Sequence, residues 1–265
     1  MRAVTVSYHD AVESAPEASG FPGTGAAIYK LEVGEMRRHF EAIDSACDPG
    51  PTVIGEHEES GGTPLFLAFD DGGRSAATLI APMLEEFGWR GHFFITAGKI
   101  GEPAFVDADQ IREMRARGHV IGSHSWSHPT RMSECSRSEL SEEWRRSVTR
   151  LEEILGEPVD VASVPGGYFS EAVAKEAAAA GIRYLFTSEP TKGAYEVDGC
   201  LVLGRYTLLR GMPAGMSAGF ASVRGSRIQL KQAIHWKLKK VAKKVGGKHY
   251  LAVRDRILNR RGGAG

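Results

Sequence analysis

Five short apolar runs recur along the chain with helix-like segments between them: VTVSY at 4–8, LFLAF at 65–69, HFFIT at 92–96, HVIGS at 119–123 and RYLFT at 183–187. Apolar runs of this length, bounded by turn residues, read as strands buried on both faces. Alternation of such strands with helices implies a parallel sheet, open or closed into a barrel. In either arrangement the chemistry collects where strands end and the following loops begin. The clearest helix lies in SRSELSEEWRRSVTRLEEILG, where Leu140, Trp144, Val148, Leu151 and Leu155 share one face. Ser136 and Glu139 can form a capping box, and Gly156 with Pro158 stops it. Segments 75–88, 108–118 and 170–180 read as further helices ending near Gly88, Gly118 and Gly181, residues suited to the positive φ of a helix end.

Charge divides the chain. Lys plus Arg and Asp plus Glu both number 33, yet residues 227–265 hold twelve basic residues and one acid, Asp255. That segment carries +11 and residues 1–226 carry −11, so the expected organisation is a body at 1–226 and a basic segment at 227–265. The Gly/Ala/Ser-rich stretch 211–226 between them reads as a linker or a loosely held excursion. Leu230, Ile234, Leu238, Val241 and Val245 form one helical stripe among lysines. Such a helix suits an anionic membrane surface, or docks its stripe onto the acidic body. No nucleic-acid module accompanies the charge, so nucleic acid is not expected as a partner. No apolar run approaches the ~20 residues of a membrane span, and the first residues lack the apolar region of a secretory signal. The expected location is cytoplasmic, with the tail offering peripheral contact at the inner membrane face. Cys47, Cys135 and Cys200 are odd in number and widely spaced, which argues against a disulfide framework and a thiolate zinc site.

Two strand ends carry the chemistry. LFLAF runs into Asp70, Asp71, Gly72 and Gly73, and HVIGS runs into His124, Ser125, Trp126, Ser127 and His128. Adjacent carboxylates at a strand end point in different directions, so one can bind a cation while the other acts as a base. An Asp-Asp-Gly-Gly string is also an ordinary turn, and an HxxxH pair alone is weak evidence. Their shared position just past neighbouring strands makes the stronger case. One carboxylate and two imidazoles form a three-ligand site with room for water, the pattern of a catalytic zinc. His39, His57, His92, His119 and His249 lack partners at ligand spacing and read as core or surface residues. The glycine strings at 22–25, 60–62 and 165–167 do not match a nucleotide-binding pattern.

LAFDDGG, GHFFITAGKIG, VDADQIREMRARGHVIGSHSWSHP, RLEEILGEPV and SVPGGYF, in this order and spacing, resemble the polysaccharide deacetylase domain (NodB homology, carbohydrate esterase family 4). The resemblance runs from about Val4 to about Arg210. It implies a distorted (β/α) barrel, a single catalytic domain followed by the basic helical tail. The implied activity is metal-dependent removal of the N-acetyl group from an acetamido sugar, with zinc as the expected ion. Asp70 resembles the family's base, and Asp71, His124 and His128 its metal triad. The third motif departs from the family pattern: Ser163, Val164, Pro165 and Gly166 stand where an arginine would begin it. Gly166 can still supply an oxyanion N–H, and Arg205 in LGRY is a candidate for the missing positive charge. The late Leu-His motif is absent, but Tyr8 and His9 resemble the early pair of permuted relatives, making His9 the candidate acid. A nucleotide-linked, lipid-linked or small glycoside is the expected substrate. A non-sugar amide hydrolase and a catalytically silent carbohydrate-binding relative are the alternatives.

Overall fold

The computed structural model describes residues 1–13, 15–56 and 62–236. Its strands are β1 (Val4–Tyr8), β2 (Ala11–Val12), β3 (Leu31–Glu32), β4 (Leu65–Phe69), β5 (His92–Ile95), β6 (Val120–Ser123), β7 (Val161–Ser163), β8 (Tyr184–Phe186), β9 (Tyr195–Val197), β10 (Cys200–Leu203) and β11 (Tyr206–Thr207). Its helices are α1 (Thr24–Ala27), α2 (Val33–Ala46), α3 (Ala81–Glu86), α4 (Ala108–Ala116), α5 (Arg137–Leu155), α6 (Glu171–Ala179) and α7 (Ala214–Ala221). A turn of π-helix at Ala76–Ile80 leads into α3. Nine strands form one sheet in the order β11-β1-β4-β5-β6-β7-β8-β10-β9, parallel except for the β9–β10 pair. Every residue of β1 and β4 is buried, as expected of strands covered on both faces.

Only Gly204 and Arg205 separate β10, paired with β8, from β11, paired with β1 on the far side of the sheet. A single bent segment therefore joins the two sides, and the sheet must curl into the expected distorted (β/α) barrel. The bend leaves no room for a side chain at Gly204. A Cβ there would lie 2.3 Å from the Glu189 carbonyl oxygen and 2.6 Å from that of Thr191.

Helix α5 buries Leu140, Trp144, Val148 and Leu151 as the periodicity requires, with Ile154 completing the face and Leu155 half-buried. Trp144 Nε1 donates to the Val173 carbonyl (3.1 Å), satisfying the one polar atom that this ring brings into the core. The Ser136–Glu139 capping box forms, and Gly156 ends the helix at φ 71°. Sequence reasoning missed α2 and α7. The stretch 211–226, expected to be a loose linker, instead contains α7, which packs on the body. Its small residues permit close approach: Ser217 donates to the His39 carbonyl (3.0 Å), and Phe220 stacks on Tyr206 at 5.3 Å.

Residues 227–236 are helical. Ser226 Oγ accepts from Gln229 N–H while Gln229 Oε1 accepts from Ser226 N–H, forming a capping box at the start of the basic segment. Gln229 is buried and donates to the Phe220 and Ser222 carbonyls, and Ile228 fills the space left by Gly219. The helix thus docks through Ile228 and Gln229. Leu230 and Ile234 of the stripe are exposed, so of the two placements open to it these residues do not take the one on the body. Leu238, Val241 and Val245 lie outside the described residues. Among the described residues no helix is long and apolar enough to cross a membrane, and the three cysteines are free.

Gly204→Ala should lower stability by about 1–3 kcal/mol, the usual cost of overpacking, and more if backbone carbonyls cannot yield. Urea denaturation of the two proteins measures the difference.

Candidate active site

The ladder of β4 continues past the strand, since Asp70 N–H donates to the Tyr8 carbonyl (3.0 Å). Asp71 then takes φ 76°, which turns the two neighbouring carboxylates apart. On β6, His124 N–H likewise extends the ladder to the Ile95 carbonyl (2.9 Å). Ser125 (φ 62°) and His128 (φ 58°) follow in the left-handed region. Of the four non-glycine residues with positive φ among the described residues, three therefore lie at this site. Each such residue costs on the order of 1–3 kcal/mol and persists only where its surroundings over-determine it.

The surroundings do so through Glu143 of α5. Its carboxylate accepts from the N–H groups of Trp126 (3.0 Å) and Ser127 (2.8 Å) and from the Ser127 hydroxyl (2.7 Å). Ser125 Oγ accepts from His128 N–H, and Arg146 lies 3.9 Å over the Trp126 ring. Across the loop, Ala97 and Gly98 donate to the Ser125 and Trp126 carbonyls.

Asp71, His124 and His128 converge. Asp71 Oδ1 lies 3.5 Å from His124 Nε2 and 3.4 Å from His128 Nε2, and one ligand atom from each residue falls within 4.8 Å of the others. These separations are long for hydrogen bonds, and Asp71 Oδ1 is a buried acceptor without a partner. Ligands at about 2.0–2.1 Å from a tetrahedral ion stand about 3.3 Å apart, so the spacing and the orphaned oxygen both fit a divalent metal such as zinc. Burial raises the affinity of Asp71 for a proton, but the two imidazoles outweigh it and hold the carboxyl well below its ordinary range.

Asp70 is buried beside the triad. Its Oδ1 accepts from Arg205 Nη1 (2.6 Å) and from Ser163 Oγ (3.0 Å). Desolvation opposes ionisation, but the Arg205 charge, then His124 and His9, overcome it and bring the pKa down to about 2. Arg205 is itself 1% exposed and donates from Nε to the Thr187 carbonyl (3.1 Å). With Nε2 of His124 turned to the triad, its Nδ1 carries the proton and faces Ser163 Oγ at 2.6 Å. The Ser163 hydroxyl in turn donates a hydrogen bond to Asp70 Oδ1, linking the two halves of the site.

The remaining predicted residues divide. His9 shares the pocket: burial lowers its pKa, while the charges of Asp71 and Asp70 act in the opposite sense. Its Nδ1 is buried without a partner, and its ring lies 4.4 Å from that of Tyr29. Tyr8 points the other way and stacks on Phe69 in the core. Gly166 adopts φ 61°, and the turn is closed by Gly167 N–H on the Val164 carbonyl, not by Gly166. A Cβ at Gly166 would lie 3.2 Å from the Thr130 carbonyl oxygen, two residues past His128, so this turn abuts the metal-ligand loop. His39, His92 and His119 are hydrogen-bonded core residues. His57 and His249 lie outside the described residues.

Residues 57–185 match the family model for polysaccharide deacetylase. Over this segment the chain is similar to the polysaccharide deacetylase family. A 30.6 kDa protein of Geobacillus stearothermophilus is 29% identical over 126 residues, covering 47% of this chain and 46% of that one. A chitin deacetylase of Colletotrichum lindemuthianum is 32% identical over 78 residues, covering 26% and 32%. The chain thus spans about half or less of the length of these curated relatives. Among solved structures, the fold matches the Streptococcus pyogenes deacetylase PplD, in complex with acetate, with a TM-score of 0.66, 19% identity and coverage of 81% and 95%. IcaB of Ammonifex degensii matches with a TM-score of 0.65, 20% identity and coverage of 83% and 97%. Against the third motif that the resemblance implies, Ser163 stands in the arginine's place, and the guanidinium on Asp70 comes from Arg205, beyond the matched segment. Sequence reasoning missed Ser163 and Glu143 as site residues. Glu143 lies on the polar side of a helix, where nothing distinguishes it from a solvated glutamate.

Glu143→Ala should leave the fold intact and weaken metal binding about 10- to 100-fold, the usual effect of losing a group that orients a ligand. Zinc titration by calorimetry reads this directly.

Proposed function

We propose that this protein is a metal-dependent deacetylase that hydrolyses the N-acetyl group of an acetamido sugar, releasing acetate and the free amine. The observation that carries the reading is the unsatisfied Asp71–His124–His128 triad beside a carboxylate kept ionised by a buried arginine. Asp71, His124 and His128 would hold a divalent ion, which would polarise the acetyl carbonyl and make a water molecule more acidic. Asp70 is the base. Its low pKa keeps it deprotonated at neutral pH, and Ser163 and Arg205 both bind the same oxygen, leaving the other to accept the water proton. Gly166 N–H, free of its own turn, is the donor for the oxyanion formed at the acetyl carbon. His9 delivers a proton to the departing nitrogen, which cannot leave as an amide anion. The water oxygen ends on the acetyl carbon as the C–N bond breaks; the water proton taken by Asp70 makes up for the one that His9 gives to the amine nitrogen, and the other is released as the acetic acid ionises to acetate.

Acetate release from a panel of N-acetylglucosamine oligosaccharides tests the reading. Activity should require the divalent ion and disappear with a chelator, and a metal-loaded protein inert on every N-acetyl sugar would refute it. Asp70→Asn should retain the metal and lose about 100-fold or more in turnover, as general-base removal does. His9→Ala should retain the metal and lose more turnover on an amide than on an acetate ester, whose leaving group needs less help from an acid. Equal losses on the two substrates would assign His9 to positioning.

A further inference from the structure

The described residues expose five large apolar side chains, Met1 (46%), Tyr195 (46%), Val223 (39%), Leu230 (63%) and Ile234 (51%), and all five stand on one part of the surface. Ala194 N–H donates to the Met1 carbonyl, and Lys192 Nζ donates to the Val223 carbonyl (3.2 Å). Arg2, Lys192, Gly225 and Leu230 line one cavity of about 460 Å³ between them, and Ile234 lies one helical turn beyond Leu230. The patch follows the seam where the bent β10–β11 segment joins the two sides of the sheet.

Its cations among the described residues are Arg2, Lys192, Arg224, Arg227 and Lys231. The carboxylates near it gather around Tyr195: Glu171 and Glu189 act on its hydroxyl, and Glu196 follows it on β9, at the end toward the candidate site. At that same end, Tyr195 meets Phe169 at 6.4 Å, and the Trp236 ring lies 3.9 Å from where a Gly167 Cβ would stand, next to Gly166. The patch therefore runs from the barrel seam to the rim of the mouth.

We propose that this patch seats the protein on an anionic lipid bilayer, with Leu230 and Ile234 entering the interface and the catalytic mouth held beside it. Single apolar side chains set among lysines and arginines match a surface that is apolar just below a layer of negative headgroups. A second copy of the patch is a poor occupant, since pairing it with itself sets like charges against each other. Nucleic acid would use the cations and leave the apolar residues in water. The basic tail alone did not indicate this surface, because Met1, Tyr195 and Val223 join it only through the fold.

The test is sedimentation of the full chain with vesicles of phosphatidylglycerol and phosphatidylcholine, against phosphatidylcholine alone, at physiological salt. The parent should pellet with the anionic vesicles only. Leu230→Glu combined with Ile234→Glu, at exposed positions away from the catalytic residues, should weaken partitioning by about 10-fold or more, given the value of each buried methylene in an interface, at unchanged melting temperature. The proposal is overturned if the parent stays in the supernatant, if the double variant partitions like the parent, or if the parent is a dimer that the double variant turns into a monomer. The readout is binding alone, so it stands apart from the catalytic assignment.

Discussion

The buried ion pair between Arg205 and Asp70 (2.6 Å) is the interaction around which the site is arranged. Two charges at 1% and 5% exposure are stable in a barrel interior only when hydrogen bonds meet their remaining capacity. Here Thr187 and Ser163 do so. The pair also joins the two ends of the fold. Arg205 sits at the bend that carries the chain from β10 to β11, so the residue that joins the two sides of the sheet also holds Asp70 ionised. Gly204 makes the bend possible by admitting the 189–191 backbone where a side chain would otherwise stand. The join between the two sides of the sheet and the charge state of Asp70 thus depend on two consecutive residues.

Around that pair the protein tolerates strain to hold the side chains of the candidate metal site apart. Asp71, Ser125 and His128 adopt left-handed backbone, and Asp71 Oδ1 remains buried without a hydrogen bond. In a site with no other role, a small rotation would let the carboxylate and an imidazole pair directly. Glu143, Ser125 and the 97–98 backbone prevent it by fixing the loop. The arrangement keeps the buried carboxylate and the two imidazoles apart, the preorganisation that the proposed metal site would need.

A second buried acid shows the contrast. Asp10 accepts from Ser19 (2.6 Å) and Ser75 (2.8 Å), and Lys30 reaches only the carbonyls of Pro16 and Ser19. Without a guanidinium in contact, desolvation dominates and raises its pKa to about 6. The same burial leaves Asp70 ionised and draws Asp10 toward neutrality. The difference lies in their partners: Asp10 ties the segment after β1 to the Gly73 turn, where a Cβ would fall 1.9 Å from its Oδ1.

Local pattern determined much of this protein. The strands VTVSY, LFLAF, HFFIT, HVIGS and RYLFT, the α5 face and caps, and the Asp-Asp and HxxxH positions were all legible, because apolar runs, helical spacing and strand-end motifs depend on residues near each other in sequence. Strand β7 and the short β10 and β11 were not, since two to four residues offer too little pattern, nor was α7, whose small residues resemble a linker until another surface packs against them. The family resemblance pointed to the missing arginine and Arg205 as one candidate for it, yet placing that guanidinium on Asp70 across 135 residues required the closed barrel. Ser163, Glu143 and the exposed patch were likewise decided by tertiary structure alone. A hydrogen bond or a shared surface is set by distance in space, and sequence carries that distance only where the chain is locally regular.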